Sequence, residues 1–97
     1  MGNGPEAVVR RKIVEWASQR NIFLFAVPAS GFSYRGVADF IGIAPGGKFL
    51  AIEAKAPKGV LSTWQEVFQT KVLARGGVYA IVRGDIDLER LSKSLVV

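Results

Sequence analysis

Hydrophobic residues divide the chain into segments of helical and extended spacing. From Pro5 to about residue 19, apolar side chains recur every three or four positions, which predicts an amphipathic helix that begins at the proline. The basic run at residues 10–12 is interpreted as a solvent-facing side of this helix, with contact to phosphate groups as the alternative. Residues 22–27 are a short apolar run ended by a proline, which predicts a buried strand.

Two strands and a tight turn are predicted in the middle of the chain. Residues 36–43 and 49–56 are mainly apolar and predict one strand each. Between them, residues 44–47 contain Pro45 followed by Gly46, which suit the two central positions of a type II turn. The two strands are therefore expected to form an antiparallel hairpin.

The second half of the chain has the pattern helix, strand, helix. Residues 62–65 form a capping box that begins a long helix, and a pair of glycines stops it. Trp64 and Phe68 fall on its apolar stripe and, like Trp16 in the first helix, are interpreted as core residues rather than as surfaces for stacking bases. Residues 78–82 predict the last strand, and the spaced leucines after it predict a short C-terminal helix.

The order of these elements is α-β-β-β-α-β with a short C-terminal helix. This order predicts an α/β fold with a mixed central sheet flanked by helices. A chain of 97 residues suits a single domain, here residues 1–97. No apolar run approaches the roughly 18 residues of a membrane span, so we expect a cytoplasmic, intracellular protein without membrane contact.

Basic residues outnumber acidic ones by thirteen to eight, which gives a net charge of +5. A small domain with this balance attracts polyanions and makes nucleic acid a candidate partner, although composition alone leaves an ordinary basic protein equally open. The chain contains no His and no Cys. Ser-His-Asp chemistry, thiolate nucleophiles and zinc-thiolate sites are therefore excluded, and the remaining oxygen ligands suit Mg²⁺ or Mn²⁺.

Three charged residues interrupt the apolar strands of the hairpin. Glu53 and Lys55 are two positions apart, so they project from the same face of their strand. Asp39 lies almost directly opposite Glu53 if the chain turns at Pro45 and Gly46. Two carboxylates about 5 Å apart repel each other unless a cation lies between them, which indicates a metal site. The alternative is an exposed ion pair on a half-solvated sheet, but the apolar residues around the charges favour a functional site.

Together these motifs resemble the PD-(D/E)xK nuclease core, and the chain resembles a stand-alone VRR-Nuc domain of the kind that phages encode in bacterial hosts. The resemblance spans nearly the whole chain. The proline that names the superfamily signature is absent, because Val37 and Ala38 precede the first acidic residue. The resemblance is carried by Glu6, by Gly36-Val37-Ala38-Asp39 with Ile41-Gly42, by Glu53-Ala54-Lys55, and by Ser62, Gln65 and Phe68.

The resemblance implies a restriction-endonuclease-like core and a metal-dependent endonuclease that leaves 5′-phosphate and 3′-hydroxyl ends. Asp39, Glu53 and the carbonyl of Ala54 would hold Mg²⁺ or Mn²⁺. Lys55 would orient or deprotonate the attacking water. Glu6 would complete a second metal site, with a favourable charge at a helix N-terminus as the alternative.

Gln65 is implied as a residue that positions water or phosphate, and its place in the capping box is an equally open explanation. Ser30, Arg35 and Lys58 flank the implied site and are candidates for contacts to the DNA backbone, with ordinary loop solvation as the alternative. The resemblance implies branched, flap or four-way-junction DNA as substrate, and cutting two strands favours a homodimer. The main alternative is a non-catalytic nucleic-acid-binding module on the same fold, and a more distant one is a basic subunit of a larger assembly.

Overall fold

Three helices and four strands make up the part of the chain that the computed structural model describes, residues 4–28 and 34–96. Their order confirms the predicted α/β class, α-β-β-β-α-β with a C-terminal helix. None of these helices is long and apolar enough to cross a membrane. The elements are α1 (Pro5–Ser18), β1 (Phe23–Ala26), β2 (Phe40–Ala44), β3 (Lys48–Ala54), α2 (Thr63–Ala74), β4 (Val78–Val82) and α3 (Asp85–Leu95).

The four strands form one mixed sheet, as predicted, and their order in it is β1-β2-β3-β4. The first three strands pair antiparallel, whereas β4 pairs parallel with β3. Parallel neighbours cannot be joined by a tight turn, and α2 provides the crossover between them. β3 therefore has a neighbour on each side, and its residues 50–54 are all buried.

The main core lies on the face of the sheet that carries the even-numbered residues of β3. Leu50 and Ile52 on this face have no exposed surface. Helices α1 and α3 cover them with side chains spaced three or four residues apart, as their amphipathic patterns predict. The helical contribution to this core is Val9, Ile13, Trp16 and Ala17 from α1, and Leu88 and Leu91 from α3.

Helix α2 packs against β4 on the opposite face of the sheet. The ring of Phe68 meets the ring of Tyr79 edge-on, with centroids 6.3 Å apart. Trp64, one turn earlier, is 48% exposed, so its interpretation as a core residue is wrong. In the first turn of the helix it is the next residue, Gln65, that contacts Glu53 on the sheet. The indole of Trp64 is therefore turned away from the sheet.

The prediction of a buried strand at residues 22–27 is also wrong. β1 is an edge strand, and Phe23 and Phe25 are 66% and 48% exposed. The apolar run made the strand look covered on both faces, but burial depends on the order of strands in the sheet. Helix α2 packs over β4, which is at the opposite edge of the sheet from β1. It therefore does not cover these two rings.

The hairpin between β2 and β3 has the predicted turn and register. The N–H of Gly47 donates to the carbonyl of Ala44 at 3.1 Å, and Gly46 has a φ of +89°, as a type II turn requires at this position. The strands are shorter than predicted: β2 begins at Phe40 rather than at residue 36, and β3 ends at residue 54. Asp39 consequently lies immediately before β2 rather than within it.

Candidate active site

Asp39 and Glu53 are joined by hydrogen bonds across the end of the β2–β3 hairpin. Phe40 pairs with Ile52, so the next step outward brings the two acids side by side. The backbone N–H of Asp39 donates to Oε1 of Glu53 at 3.1 Å, and the N–H of Ala54 donates to Oδ2 of Asp39 at 2.8 Å. The hairpin register thus brings together Asp39, Glu53 and Ala54, three of the four residues that the resemblance implied as metal ligands.

Glu53 is the only charged residue among the buried ones in the described chain, with 3% of its surface exposed. Burial, and after it the charge of Asp39, raise its pKa from 4.5 to about 7. The ammonium of Lys55 opposes this shift: its Nζ lies 3.5 Å from Oε2 of Glu53. The site therefore holds a carboxyl group that is close to half ionised at neutral pH.

Lys55 follows β3 directly and is held against the sheet. Its N–H donates to the carbonyl of Val82 at 3.0 Å, which extends the pairing of β3 with β4 by one residue. The turn after it closes with a hydrogen bond from the N–H of Gly59 to the carbonyl of Ala56 at 2.9 Å. Gly59 lies beside the aliphatic stem of Lys55, where an added Cβ would be in ordinary van der Waals contact with it at 3.4 Å. The turn therefore packs against the Lys55 side chain.

Gln65 completes the capping box and also contacts the buried acid of the site. Its Oε1 accepts the N–H of Ser62 at 2.8 Å, and Oγ of Ser62 accepts the N–H of Gln65 at 3.2 Å, which completes the capping box. At the same time its Nε2 donates to Oε2 of Glu53 at 2.8 Å. The start of α2 is thereby fixed to the buried acid.

Arg10 belongs to this site although the sequence analysis placed its basic run in solvent. Its guanidinium lies 3.1 Å from Oδ1 of Asp39 and 4.9 Å above the ring of Phe40. One signal in the sequence was relevant: Arg10 directly follows Val9 and lies three residues before Ile13, so it sits at the border of the core-facing side of α1. The pattern could not show that this border meets the hairpin end.

Tyr79 on β4 is a second residue that the sequence analysis did not assign to the site. It pairs with Ala51 in the parallel ladder and so shares a sheet face with Glu53. Its hydroxyl is buried without a hydrogen-bond partner in the part of the chain that the structure describes. Burial raises the pKa of Tyr79 above its usual value, and the charges of Glu53 and Asp39 raise it further. The hydroxyl therefore stays protonated and is a neutral donor.

Among the described residues, the other site residues predicted from the sequence form no hydrogen bond or ion pair with the carboxylates of Asp39 and Glu53. Glu6 is exposed in the first turn of α1. No three acidic side chains form a potential metal-binding group within residues 4–28 and 34–96, so Glu6 does not join Asp39 and Glu53 in one. Arg35 and Lys58 are exposed, and Arg35 covers the ring of Trp64 with its guanidinium 4.7 Å from the ring centre. Ser30 lies outside the described residues.

The chemistry of the donors in this site fits a hard divalent cation. Two carboxylates lie together, and the pKa of Glu53 is raised by burial first and then by the charge of Asp39, so a bound cation would favour its ionised form. Mg²⁺ is commonly bound by one or two protein carboxylates together with substrate phosphates and water. Asp39 and Glu53 supply such a pair without a third acid.

Comparisons with known proteins add nothing to this description, since no family model, no curated protein and no solved structure matches the chain. The function is therefore argued from the site itself and from the motifs in the sequence.

Proposed function

We propose that this chain is a metal-dependent endonuclease of the VRR-Nuc type that hydrolyses phosphodiester bonds in DNA. One observation carries the proposal: the paired carboxylates of Asp39 and Glu53, the ammonium of Lys55 and the amide of Gln65 converge at one end of the hairpin. These are the residue types, in the order along the chain, on which the resemblance to the PD-(D/E)xK nucleases rests.

Asp39, Glu53 and the carbonyl of Ala54 would hold Mg²⁺ or Mn²⁺. The bound ion supplies Lewis acidity toward a phosphoryl oxygen and makes water a better nucleophile at neutral pH. Lys55, fixed beside Glu53, orients the attacking water and stabilises negative charge that develops on the phosphate. Gln65 positions Glu53, because its amide donates to the carboxylate that would bind the cation.

The energetics of Glu53 support catalysis over binding alone. A buried carboxyl with a raised pKa costs stability whenever it must ionise. A pair of carboxylates also repels the phosphates that a DNA-binding surface has to attract. A module that only binds DNA gains nothing from either feature, whereas a nuclease needs both acids to hold its cation.

One observation favours the alternative, a non-catalytic nucleic-acid-binding module on the same fold. In this structure Arg10 pairs with Asp39 and Lys55 pairs with Glu53, so each acid already has a cationic partner. Such pairs could be purely structural. The two functions differ in what the protein does to DNA when Mg²⁺ or Mn²⁺ is added.

The substrate and assembly are proposed from the resemblance. We expect selectivity for branched, flap or four-way-junction DNA, with exposed Arg35 and Lys58 as contacts to the DNA backbone. Cutting both strands of such a substrate is achieved most simply by a homodimer with twofold symmetry. The setting would be the interior of a bacterial cell, where a phage-type nuclease meets its DNA.

The proposal is tested by incubating the parent protein with end-labelled linear, flap and four-way-junction DNA in Mg²⁺, Mn²⁺ or excess EDTA. Asp39→Asn and Glu53→Gln remove the proposed metal ligands, and Glu89→Gln, an exposed acid on α3, controls for the loss of one negative charge. We expect cleavage by the parent and by Glu89→Gln only when metal is present. Cleavage that persists in EDTA, or in Asp39→Asn and Glu53→Gln, overturns the proposal, and DNA binding without any cleavage favours the alternative.

A further inference from the structure

An exposed aromatic surface lies directly beside the proposed active site. Trp64 is 48% exposed although it stands in the first turn of a helix that packs on the sheet. The next residue, Gln65, donates to the buried carboxylate of Glu53. The exposed indole therefore belongs to the residue next to Gln65, which itself contacts the proposed catalytic acid on β3.

The ring of Trp64 is extended by a planar cation. The guanidinium of Arg35 lies 4.7 Å from the ring centre, within the range of a cation–π contact. Arg35 is itself exposed. A guanidinium stacked on an indole offers a flat positively charged surface, and both groups are surfaces on which nucleobases stack.

A second exposed aromatic ring with a basic neighbour lies farther along α2. Tyr34 is 55% exposed, its hydroxyl accepts a hydrogen bond from Nζ of Lys71, and the Lys71 ammonium lies 5.3 Å from its ring centre. The ring of Tyr34 also contacts that of Phe68 at 6.1 Å. A second exposed ring, with an ammonium at its hydroxyl edge, therefore lies against the same helix that carries Trp64.

The backbone fixes Arg35 and Trp64 relative to each other. Gly36 has a φ of +79° and packs so tightly on the carbonyl of Trp64 that a Cβ there would overlap it. The segment that carries Tyr34 and Arg35 is therefore held against the first turn of α2. The stacking surface is therefore preorganised, which lowers the entropic cost of binding.

We propose that Trp64 and Arg35 form a binding site for an unpaired nucleobase of the DNA substrate, with Tyr34 and Lys71 as its continuation along the strand. This combination of aromatic faces and basic groups is what single-strand binding surfaces use, because every base has a π-face and every nucleotide has a phosphate. Its role in cleavage rests on the proposed nuclease function: an unpaired base held next to Gln65 would place the junction between duplex and single strand at the carboxylates. Base binding itself does not depend on cleavage.

The test measures binding to a twelve-nucleotide oligothymidylate and to an abasic strand of the same length, in Ca²⁺ and without Mg²⁺ or Mn²⁺. Tryptophan fluorescence and anisotropy of a labelled strand report on binding. The variants are Trp64→Leu, Trp64→Phe, Arg35→Lys and Leu73→Ala. Leu73 is an equally exposed side chain on α2, nine residues later and so on the opposite side of the helix, and serves as the control.

We expect the parent to prefer the thymidylate strand and to show quenched fluorescence on binding it. Trp64→Leu should bind this strand about 5- to 150-fold more weakly, bind the abasic strand unchanged and lose the quenching, since base stacking on one aromatic residue is worth this much. Trp64→Phe should recover part of the affinity because it keeps a flat ring. Arg35→Lys should also lose base preference because it keeps the charge without the planar group, and Leu73→Ala should behave as the parent.

Thymidylate affinity in Trp64→Leu within about twofold of the parent, or no preference for bases over abasic sites in the parent, overturns the inference. Circular dichroism and urea unfolding establish that Trp64→Leu folds, and Arg35→Lys provides an independent variant. Failure here is distinct from failure of the nuclease proposal, because that proposal is decided by cleavage in Mg²⁺ or Mn²⁺ and this one by base-dependent binding without either ion.

Discussion

Gln65 donates from Nε2 to Oε2 of Glu53 at a distance of 2.8 Å. The other end of the same amide accepts the N–H of Ser62, also at 2.8 Å. One side chain therefore caps α2 and orients the buried acid of β3. The position of the helix and the geometry of the acid are coupled through this residue.

The two roles of Gln65 can be separated by comparing Gln65→Glu with Ser62→Ala. Ser62→Ala removes the cap on the Gln65 N–H and should cost about 1 kcal/mol of unfolding free energy with little change in cleavage. Gln65→Glu keeps an acceptor for the Ser62 N–H but replaces the donor to Glu53 by a second carboxylate. Cleavage should fall by at least about tenfold, because hydrogen-bond loss and repulsion at a buried acid cost more than 1.4 kcal/mol. Equal loss of cleavage in both variants would contradict this separation.

The paired acids could be predicted because the hairpin register is a local property. A Pro-Gly turn and the two-residue alternation of strands are enough to place Asp39 beside Glu53, and the observed pairing of Phe40 with Ile52 agrees. The distance of Lys55 from Glu53 follows from the same alternation. None of this requires knowing how the helices pack.

The sequence-based predictions that proved wrong concern features that depend on tertiary packing. Helical periodicity indicates which side of α1 is buried, but not that its border brings Arg10 to the hairpin end. The apolar stripe of α2 includes Trp64, but the stripe does not reveal that Gln65 faces the sheet in the first turn. The apolar run of β1 resembles an interior strand, and only the order of strands shows that Phe23 is at an edge.

Replacing Lys55 should show whether its ammonium transfers a proton during cleavage or only contributes a positive charge near the phosphate. Lys55→Arg keeps the charge, but its planar guanidinium cannot readily lose a proton. We expect Lys55→Arg and Lys55→Ala to lose cleavage by at least about 10²-fold, the lower figure for general acid–base catalysis. Single-turnover cleavage rates and a Mn²⁺ titration on the same samples measure this. Near-parent activity in Lys55→Arg would reduce Lys55 to an electrostatic contact with phosphate.

Stability should depend on pH through Glu53. Its pKa is raised from 4.5 to about 7, first by burial and then by the charge of Asp39. Between these values the folded protein keeps a proton that the unfolded chain has released, so the free energy of unfolding falls as the pH rises through this window. The expected loss is on the order of 2–3 kcal/mol relative to Glu53→Gln, which cannot ionise.

Urea unfolding of the parent and Glu53→Gln in EDTA, at several values between about pH 5 and pH 8, measures this dependence. Mg²⁺ added at the upper end should restore stability to the parent only, since it binds the ionised acid of the folded state. Parallel pH profiles for the two proteins would show that Glu53 ionises at its ordinary pKa.

Arg10 should compete with the proposed metal ion for Asp39. Its guanidinium occupies Oδ1 of Asp39 at 3.1 Å and places a positive charge beside the carboxylate pair. Arg10→Gln should therefore tighten Mn²⁺ binding by about three- to tenfold, because a nearby like charge no longer opposes the cation. Calorimetric titration without DNA measures the affinity, and Lys12→Gln, from an exposed pair with Asp85, is the control. Unchanged or weaker Mn²⁺ binding in Arg10→Gln would mean that Arg10 supports the site instead.

Gly36 and Gly46 both have positive φ, yet their replacement by alanine should have different effects. At Gly46 an added Cβ meets no atom within 4 Å, so Gly46→Ala should cost only the backbone strain of about 1–2 kcal/mol. At Gly36 the Cβ would overlap the carbonyl of Trp64, which adds an overpacking cost of about 1–3 kcal/mol. The overlap should push the first turn of α2 away and move Gln65 from Glu53, so cleavage should fall in Gly36→Ala but not in Gly46→Ala. Urea unfolding and cleavage rates of the two variants, measured side by side, test this expectation. Equal costs and equal activities would show that the first turn of α2 can shift without disturbing the carboxylates, and the coupling through Gln65 would then be weak.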